Sequence, residues 1–188
     1  MPFSYSSQLS AIVGFAEQIK PMTVLDVGTG MGQYGFLLRN NLESVNLFEI
    51  DGDKGWQRDR NRWQIVIDGI EGFEGYLTPV HHYSYSKMYI GNALAILPTM
   101  PDQAYDLVLG IDIIEHFTES DALVFANECQ RVCRGSCLIS TPKDYVPQDV
   151  PANVLENHRS HWTEGSLREL GFTRFLPDEL SWIGVFER

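Results

Sequence analysis

The stretch Val24-Leu-Asp-Val-Gly-Thr-Gly-Met-Gly32 decides the fold of this chain. It begins as an apolar strand and runs straight into three alternating glycines, Gly28, Gly30 and Gly32. Glycine at alternate positions lets the backbone turn sharply and come close to a ligand, because no Cβ stands in the way. A strand, a glycine loop and a helix in this order form the unit with which open α/β sheets bind nucleotides. We expect the helix to begin near Gln33.

The acid within this strand, Asp26, narrows the class of ligand. A carboxylate at the loop repels a pyrophosphate and favours a ligand that carries an ammonium and a sulfonium charge. S-adenosylmethionine fits that description better than NAD does. A dinucleotide fold is the competing interpretation, because Gly30-Met-Gly-Gln-Tyr-Gly35 spells the dinucleotide fingerprint. In that fold, however, the first glycine follows the strand at once, whereas here Gly28 comes before the match.

Length and charge limit the architecture and the partners. The 188 residues suffice for a single domain, residues 1–188, and not for separate cofactor and substrate domains. A formal net charge of -11 without a cluster of Lys or Arg argues against nucleic acid, which requires a basic surface, and favours a small-molecule substrate. We find neither a membrane span nor a signal peptide and expect a cytoplasmic protein, with a homodimer left open.

The three cysteines point to structure rather than to chemistry. Cys129, Cys133 and Cys137 are odd in number and include no C-x2-C pair, so they indicate neither a disulfide framework nor a zinc site. We interpret them as buried thiols and predict no metal site.

Apolar periodicity predicts alternating strands and helices, the pattern of a three-layer α/β/α sandwich. Residues 1–20 are predicted to contain a helix that caps the active site, and residues 142–161, with three prolines, a long loop on the substrate side. The remaining predicted elements are strands near 89–90, 105–111 and 136–140, a helix capped by Thr118, a helix capped by Thr163, and a closing pair of strands at 172–175 and 182–186.

Four motifs in order give the chain a resemblance to the class I S-adenosylmethionine-dependent methyltransferases: VLDVGTGMG, YIGNA, YDLVLGIDIIEHF and HRSHWTEGSLRELGF. The resemblance implies a Rossmann-like, mostly parallel sheet of seven strands whose last strand is antiparallel. It also implies S-adenosylmethionine as cofactor and S-adenosylhomocysteine as product. Asn92 stands where the family usually has Asp, and an amide can still bond the adenine edge. The implied cofactor-binding residues are Asp26, Gly28, Thr29, Gly30, Gly32, Glu71, Asn92, Ala93 and Asp112.

The acid that binds the ribose has two candidates. In sequence, Glu49 follows Gly32 at the spacing usual for the family but lies too many residues before Asn92. Glu71 lies too many residues after Gly32 but at the usual spacing before Asn92. Strand candidates Val45–Ile50 and Ile65–Ile70 accompany them. We favour Glu71, because the charged stretch between the two candidates is typical of an inserted loop.

His116 is the candidate general base, because it follows the fourth strand at the edge where open sheets bind ligands. His158 and His161 lie on the 142–161 loop, which is expected to close over the substrate, and each is a candidate for a direct role. Arg159 on the same loop is a candidate contact for an anionic group of the substrate. The chain lacks the Asn/Asp-Pro-Pro-Tyr motif of enzymes that methylate exocyclic or amide nitrogens and the Pro-Cys nucleophile of C5-cytosine methylation, leaving O-, N- or C-methylation of a small molecule. A non-catalytic S-adenosylmethionine-binding module and a dinucleotide-dependent oxidoreductase are the alternatives.

Overall fold

A seven-stranded sheet runs through the centre of the protein, whose computed structural model describes residues 4–188. Residues 1–3, the start of the predicted cap segment, lie outside the described residues. Residues 4–188 contain nine strands, of which seven form this sheet and two, the second and third in the chain, form a separate hairpin. They are β1 (Thr23–Val27), β2 (Phe48–Asp51), β3 (Lys54–Gln57), β4 (Val66–Glu71), β5 (Lys87–Ile90), β6 (Tyr105–Ile111), β7 (Cys133–Pro142), β8 (Arg174–Leu176) and β9 (Ser181–Glu187).

The order of the strands is β5-β4-β1-β6-β7-β9-β8, and the first five are mutually parallel. The last strand in the chain, β9, inserts antiparallel between β7 and β8. This arrangement confirms the predicted Rossmann-like sheet with an antiparallel last strand. Leu107, Val108 and Leu109 on the central β6 are fully buried, which explains the nearly continuous apolar run of that strand.

Helices cover both faces of the sheet. One face carries α1 (Leu9–Ile19), α2 (Gln33–Leu42) and α3 (Pro79–Ser84), and the other carries α4 (Ala93–Ile96), α5 (Glu119–Val132) and α6 (Glu164–Glu169). Each face has its own apolar core, because side chains alternate between the two faces along every strand. The three-layer prediction is therefore confirmed. None of the helices between residues 4 and 188 combines the length and the apolar composition that crossing a membrane requires.

Helix α1, within the segment that the sequence predicts to cap the active site, belongs to one of the two helical layers. It buries Ile12, Phe15 and Ala16 in the core that also contains Leu138 of β7. It ends at Lys20, which adopts a left-handed conformation just before a proline. Its apolar stripe thus packs against the sheet, while the segment before it reaches the ligand-binding edge: Ser4 and Tyr5 line the cavity there, and Gln8 bonds Asp112.

The segment between α2 and β4 is an insertion. Strands β2 and β3 pair only with each other, in a separate two-stranded hairpin, so Val45–Ile50 is not the second strand of the main sheet. That position belongs to β4, which pairs in parallel with β1. A buried ion pair ties the insertion to the sheet: Arg39 lies 3.3 Å from Glu43 and donates to the carbonyl of Ile65, while Glu43 accepts the N–H groups of Gln64 and Ile65.

The cysteines are buried and free, as predicted. Cys133 begins β7 directly after α5, three residues earlier than the strand expected from the sequence. Burial raises the pKa of the Cys133 thiol to about 12, so the thiol is uncharged and unreactive at neutral pH.

Candidate active site

A cavity of about 400 Å³ opens at the carboxyl ends of the parallel strands. Its walls come from the loops after β1 and β6, where the chain order of the sheet reverses direction, and from the ends of β4 and β5. Open α/β sheets bind their ligands at such a switch point, and the volume is in the range of small-molecule sites. The 142–161 loop lines the cavity through Pro142, Val146, Gln148, Asn153, Leu155, Glu156, His158 and Arg159.

The glycine loop after β1 forms the floor of the cavity. Gly28 has a φ of 79° and donates its N–H to the carbonyl of Ile70, and a Cβ there would lie 2.6 Å from Ile113. Gly28 therefore cannot be replaced without strain. Gly35, the last glycine of the dinucleotide-like match, lies against the ring of Tyr85, where a Cβ would be 2.2 Å from a ring carbon. That glycine permits helix packing and does not approach a ligand.

Gly32 and Asp26, two of the predicted cofactor contacts, do not lie on the cavity wall. Gly32 precedes α2 as its N-terminal cap, and its Cα faces His81. The Asp26 side chain points to the opposite side, into the core beneath α2, where it accepts a 2.5 Å hydrogen bond from the Tyr85 hydroxyl. Burial raises its pKa to about 6. The Asp26 carboxyl therefore lies beneath the glycine loop and not on the cavity surface.

Glu71 ends β4 and lies at the cavity directly beside the glycine loop. Its carboxylate accepts the N–H of Gly30 at 2.8 Å, the N–H of Phe73 at 2.9 Å and the hydroxyl of Thr29 at 3.3 Å. Burial raises its pKa. Glu49, the rival candidate, lies on the exposed hairpin and pairs with Arg62 at 3.2 Å. The structure thus brings Glu71, and not Glu49, to the floor of the cavity.

Asn92 and Ala93 follow β5 and also line the cavity. The Asn92 side-chain oxygen accepts the N–H of Leu94 at 2.9 Å and so caps the short helix α4. With its oxygen engaged, the amide has its nitrogen left to donate to a ligand. An Asp at this position has no such donor, so the departure from the family pattern changes the hydrogen bonds that a base edge can make here.

Asp112, the first residue after β6, is held rigidly. It adopts a left-handed conformation with a φ of 46°, which is uncommon for residues other than glycine. Its carboxylate accepts from Ser140 at 3.0 Å and from Gln8 at 2.6 Å, and burial raises its pKa. Such a fixed acceptor at the ligand edge, in an unfavourable backbone conformation, is typical of a functional position.

His116, the predicted general base, lies in a single-turn 3-10 helix, Ile114–His116, on the cavity wall. Burial lowers its pKa, and the nearby His158 lowers it further, so the imidazole is neutral at pH 7. The two rings lie 4.9 Å apart between centroids. The sequence named both histidines separately, but nothing in it indicated that residues so far apart in the chain would meet, with the carboxylate of Glu115 beside them.

The other loop residues lie further out. His161 is exposed, makes a 2.9 Å contact with the carbonyl of Lys143 and does not line the main cavity, so the prediction of a direct role for it is not supported. Arg159 does line the cavity. Asn153 bonds the Tyr76 hydroxyl at 3.1 Å, which ties the loop to the segment after β4.

Comparison with solved structures finds the same fold in known methyltransferases. The 1,6-didemethyltoxoflavin-N1-methyltransferase of Burkholderia thailandensis, solved with 1,6-didemethyltoxoflavin and S-adenosylhomocysteine bound, matches with a TM-score of 0.67 and 13% identity over 97% of this chain and 78% of that chain. An S-adenosylmethionine-dependent methyltransferase from Archaeoglobus fulgidus matches with a TM-score of 0.57 and 14% identity over 86% and 66% of the two chains. The fold is that of the S-adenosylmethionine-dependent methyltransferases.

The methyltransferase fold also matches the PH0226 protein from Pyrococcus horikoshii, with a TM-score of 0.63 and 16% identity over 96% of this chain and 87% of that chain. No protein-family model matches the sequence, and comparison with curated proteins gives no match. At such low identity the likeness establishes the fold. Activity has to be inferred from the chemistry of the cavity.

Proposed function

We propose that the protein is an S-adenosylmethionine-dependent methyltransferase acting on a small molecule. The observation that carries the proposal is the position of Glu71, whose carboxylate lies at the cavity beside the glycine loop, at the end of the strand next to β1. A carboxylate has about four acceptor positions. Gly30, Phe73 and the Thr29 hydroxyl occupy three of them, so Glu71 can bind one of two vicinal hydroxyls directly and the second by displacing the long 3.3 Å bond from Thr29. Vicinal hydroxyls are the recognition feature of a ribose.

The charge of the cavity supports a cationic cofactor. Its wall carries the carboxyl groups of Glu71, Asp112, Glu115, Asp121 and Glu156, whereas Arg159 is the sole Lys or Arg that residues 4–188 contribute to it. A sulfonium and an ammonium group gain from this field, and a pyrophosphate loses. The preference for a cationic cofactor, which the sequence attributes to Asp26, is thus better explained by the acidic residues that line the cavity. The same residues disfavour the alternative of a dinucleotide-dependent oxidoreductase.

Methyl transfer from a sulfonium needs alignment of acceptor, methyl group and sulfur, and exclusion of water, more than covalent help. The 142–161 loop lines the cavity, and we propose that it encloses the acceptor. The cavity volume suits a small acceptor, consistent with the acidic net charge of the chain. The role of His116 as general base stays a prediction, and it applies only to acceptors that must lose a proton.

Calorimetric titration of the purified protein with S-adenosylhomocysteine, S-adenosylmethionine and NAD tests the cofactor. We expect saturable one-site binding of the first two and no heat from NAD. Mass spectrometry of small-molecule acceptors incubated with methyl-labelled S-adenosylmethionine then tests for catalysis. Saturation by NAD with no response to S-adenosylhomocysteine would refute the proposal, and cofactor binding without transfer to any acceptor would favour a non-catalytic binding module.

A further inference from the structure

We propose that Glu115, His116 and His158 form a binding site for a divalent first-row transition-metal ion at the wall of the cavity. One ligand atom from each residue lies within 4.8 Å of the other two. Two imidazoles and one carboxylate form a donor set found in zinc and non-haem iron sites. In the sequence only the cysteines are candidate metal ligands by spacing, and no metal site is predicted from them.

The backbone holds these residues together. Glu115 and His116 lie in the 3-10 turn after β6, and His158 comes from the 142–161 loop. The loop is fastened to the turn at the site itself, because the carbonyl of Glu115 accepts the N–H groups of Arg159 at 2.8 Å and Ser160 at 3.1 Å. The N–H of His158 is fixed in turn on the carbonyl of Gln148. The three side chains therefore meet without any rearrangement of the chain.

Both imidazoles are oriented as metal ligands usually are. Nδ1 of His116 lies 3.3 Å from the carbonyl of Asn157, and Nδ1 of His158 lies 2.5 Å from the carbonyl of Val146. A carbonyl can only accept, so each Nδ1 carries the hydrogen and each Nε2 keeps its lone pair. Contacts of this kind fix the tautomer and ring orientation of metal-binding histidines.

Glu115 supplies an independent observation. The residue is 4% exposed, and its Oε2 is a buried oxygen without a hydrogen-bond partner among residues 4–188. An unsatisfied buried carboxylate oxygen is costly. A cation bound between Glu115 and the two histidines would satisfy the oxygen and offset the charge.

The donor set selects the class of metal. Mg²⁺ and Ca²⁺ prefer sites built from oxygen alone, whereas imidazole suits Zn²⁺, Cu²⁺, Fe²⁺ and Ni²⁺. Three protein ligands leave coordination positions open, and the site lines the cavity. An acceptor with a hydroxyl or carboxylate oxygen could occupy them, and a metal ion lowers the pKa of a bound hydroxyl. This acceptor role rests on the proposed function, whereas metal binding itself does not. A metal-bound His116 cannot also serve as general base.

Titration of the chelator-treated, full-length protein with Zn²⁺ by calorimetry, and with Co²⁺ by visible absorption, tests the site in the absence of any cofactor. We expect one ion per chain and a Co²⁺ spectrum with nitrogen ligation. His116→Ala and His158→Ala should each weaken Zn²⁺ binding by more than about 10-fold. His161→Ala is the matched control, because that histidine lies on the same loop outside the cluster, and it should bind Zn²⁺ like the wild type.

Glu115→Gln keeps the shape of the buried side chain, so it tests the site even if the histidine variants fold poorly. It should lose Zn²⁺ binding, while its thermal unfolding temperature without metal should match or exceed that of the wild type. The proposal is overturned if the wild type binds no Zn²⁺ or Co²⁺, or if the cluster variants bind as tightly as His161→Ala. Titration with S-adenosylhomocysteine in the same preparations separates the two proposals, because failure of one leaves the other measurement unaffected.

Discussion

Replacing Glu71 with alanine perturbs two sets of hydrogen bonds at once, and the structure allows them to be separated. In the free protein the carboxylate accepts the N–H groups of Gly30 and Phe73, and in the complex it would also accept the ribose hydroxyls. A hydrogen bond to a charged group contributes about 1.5–3 kcal/mol. We therefore expect a loss of unfolding free energy of about 2 kcal/mol without ligand, since water in the open cavity compensates part of the two backbone bonds.

The effect on affinity comes in addition. Losing the ribose contacts of Glu71 should weaken S-adenosylhomocysteine binding by roughly 10-fold to 100-fold, at about 1.4 kcal/mol per decade. Glu49→Ala is the matched control, with the same chemical change on the exposed hairpin. Its ion pair with Arg62 is half-exposed and contributes about 0–1 kcal/mol, so affinity should change by less than about threefold.

Calorimetry with S-adenosylhomocysteine gives the affinities, and urea unfolding without ligand gives the stabilities. Binding is to be measured at a temperature at which both variants are fully folded, so that the loss of stability does not contribute to the apparent affinity. The reasoning fails if Glu71→Ala unfolds more readily yet binds like the wild type, since Glu71 would then serve only to hold the loop. A loss of affinity confined to Glu49→Ala would point to a ligand site at the hairpin.

Two further perturbations test the buried charges. Asp26 has a pKa of about 6 in the fold against an ordinary value of 3.8, so its contribution to stability is fully present below pH 3.8 and is lost as pH rises through 6. The stability of Asp26→Asn relative to the wild type should therefore rise by about 3 kcal/mol between pH 3.5 and pH 7.5 in urea unfolding; a constant difference across this range would contradict the burial argument. Arg39→Met removes the partner of a fully buried carboxylate and should cost about 3–5 kcal/mol of unfolding free energy. A loss below about 1 kcal/mol, measured by chemical denaturation at neutral pH, would show that Glu43 finds adequate partners in the N–H groups of Gln64 and Ile65 alone.

The elements that the sequence predicts best are those with strong local signals. Tyr105–Ile111 is apolar because both faces of the central strand are covered, and the structure places β6 over those residues. Thr118 and Thr163 accept the N–H groups expected of helix caps. The antiparallel position of β9, by contrast, has no local signal, and the resemblance to the methyltransferases supplied it.

What the sequence could not provide depends on contacts between distant residues. Whether Val45–Ile50 or Ile65–Ile70 joins the main sheet depends on pairing with β1, which neither segment encodes by itself. Asp26 was expected at the ligand because it lies near the end of β1, but the alternation of side chains along the strand turns it into the core, toward Tyr85. The meeting of His158 with His116 likewise depends on how the 142–161 loop folds back onto the turn after β6.

The two ends of the β2–β3 hairpin lie side by side, because the N–H of Arg58 donates to the carbonyl of Leu47 at 2.8 Å. A segment whose two ends already meet can be shortened or exchanged with little change in the entropy of closing the chain. The turn at the tip of the hairpin, Gly52 and Asp53, is thus a suitable position for inserting a peptide epitope or a second domain. An insertion at this turn would extend the hairpin, which is separate from the main sheet. The sheet edge that carries the cavity would therefore keep its structure.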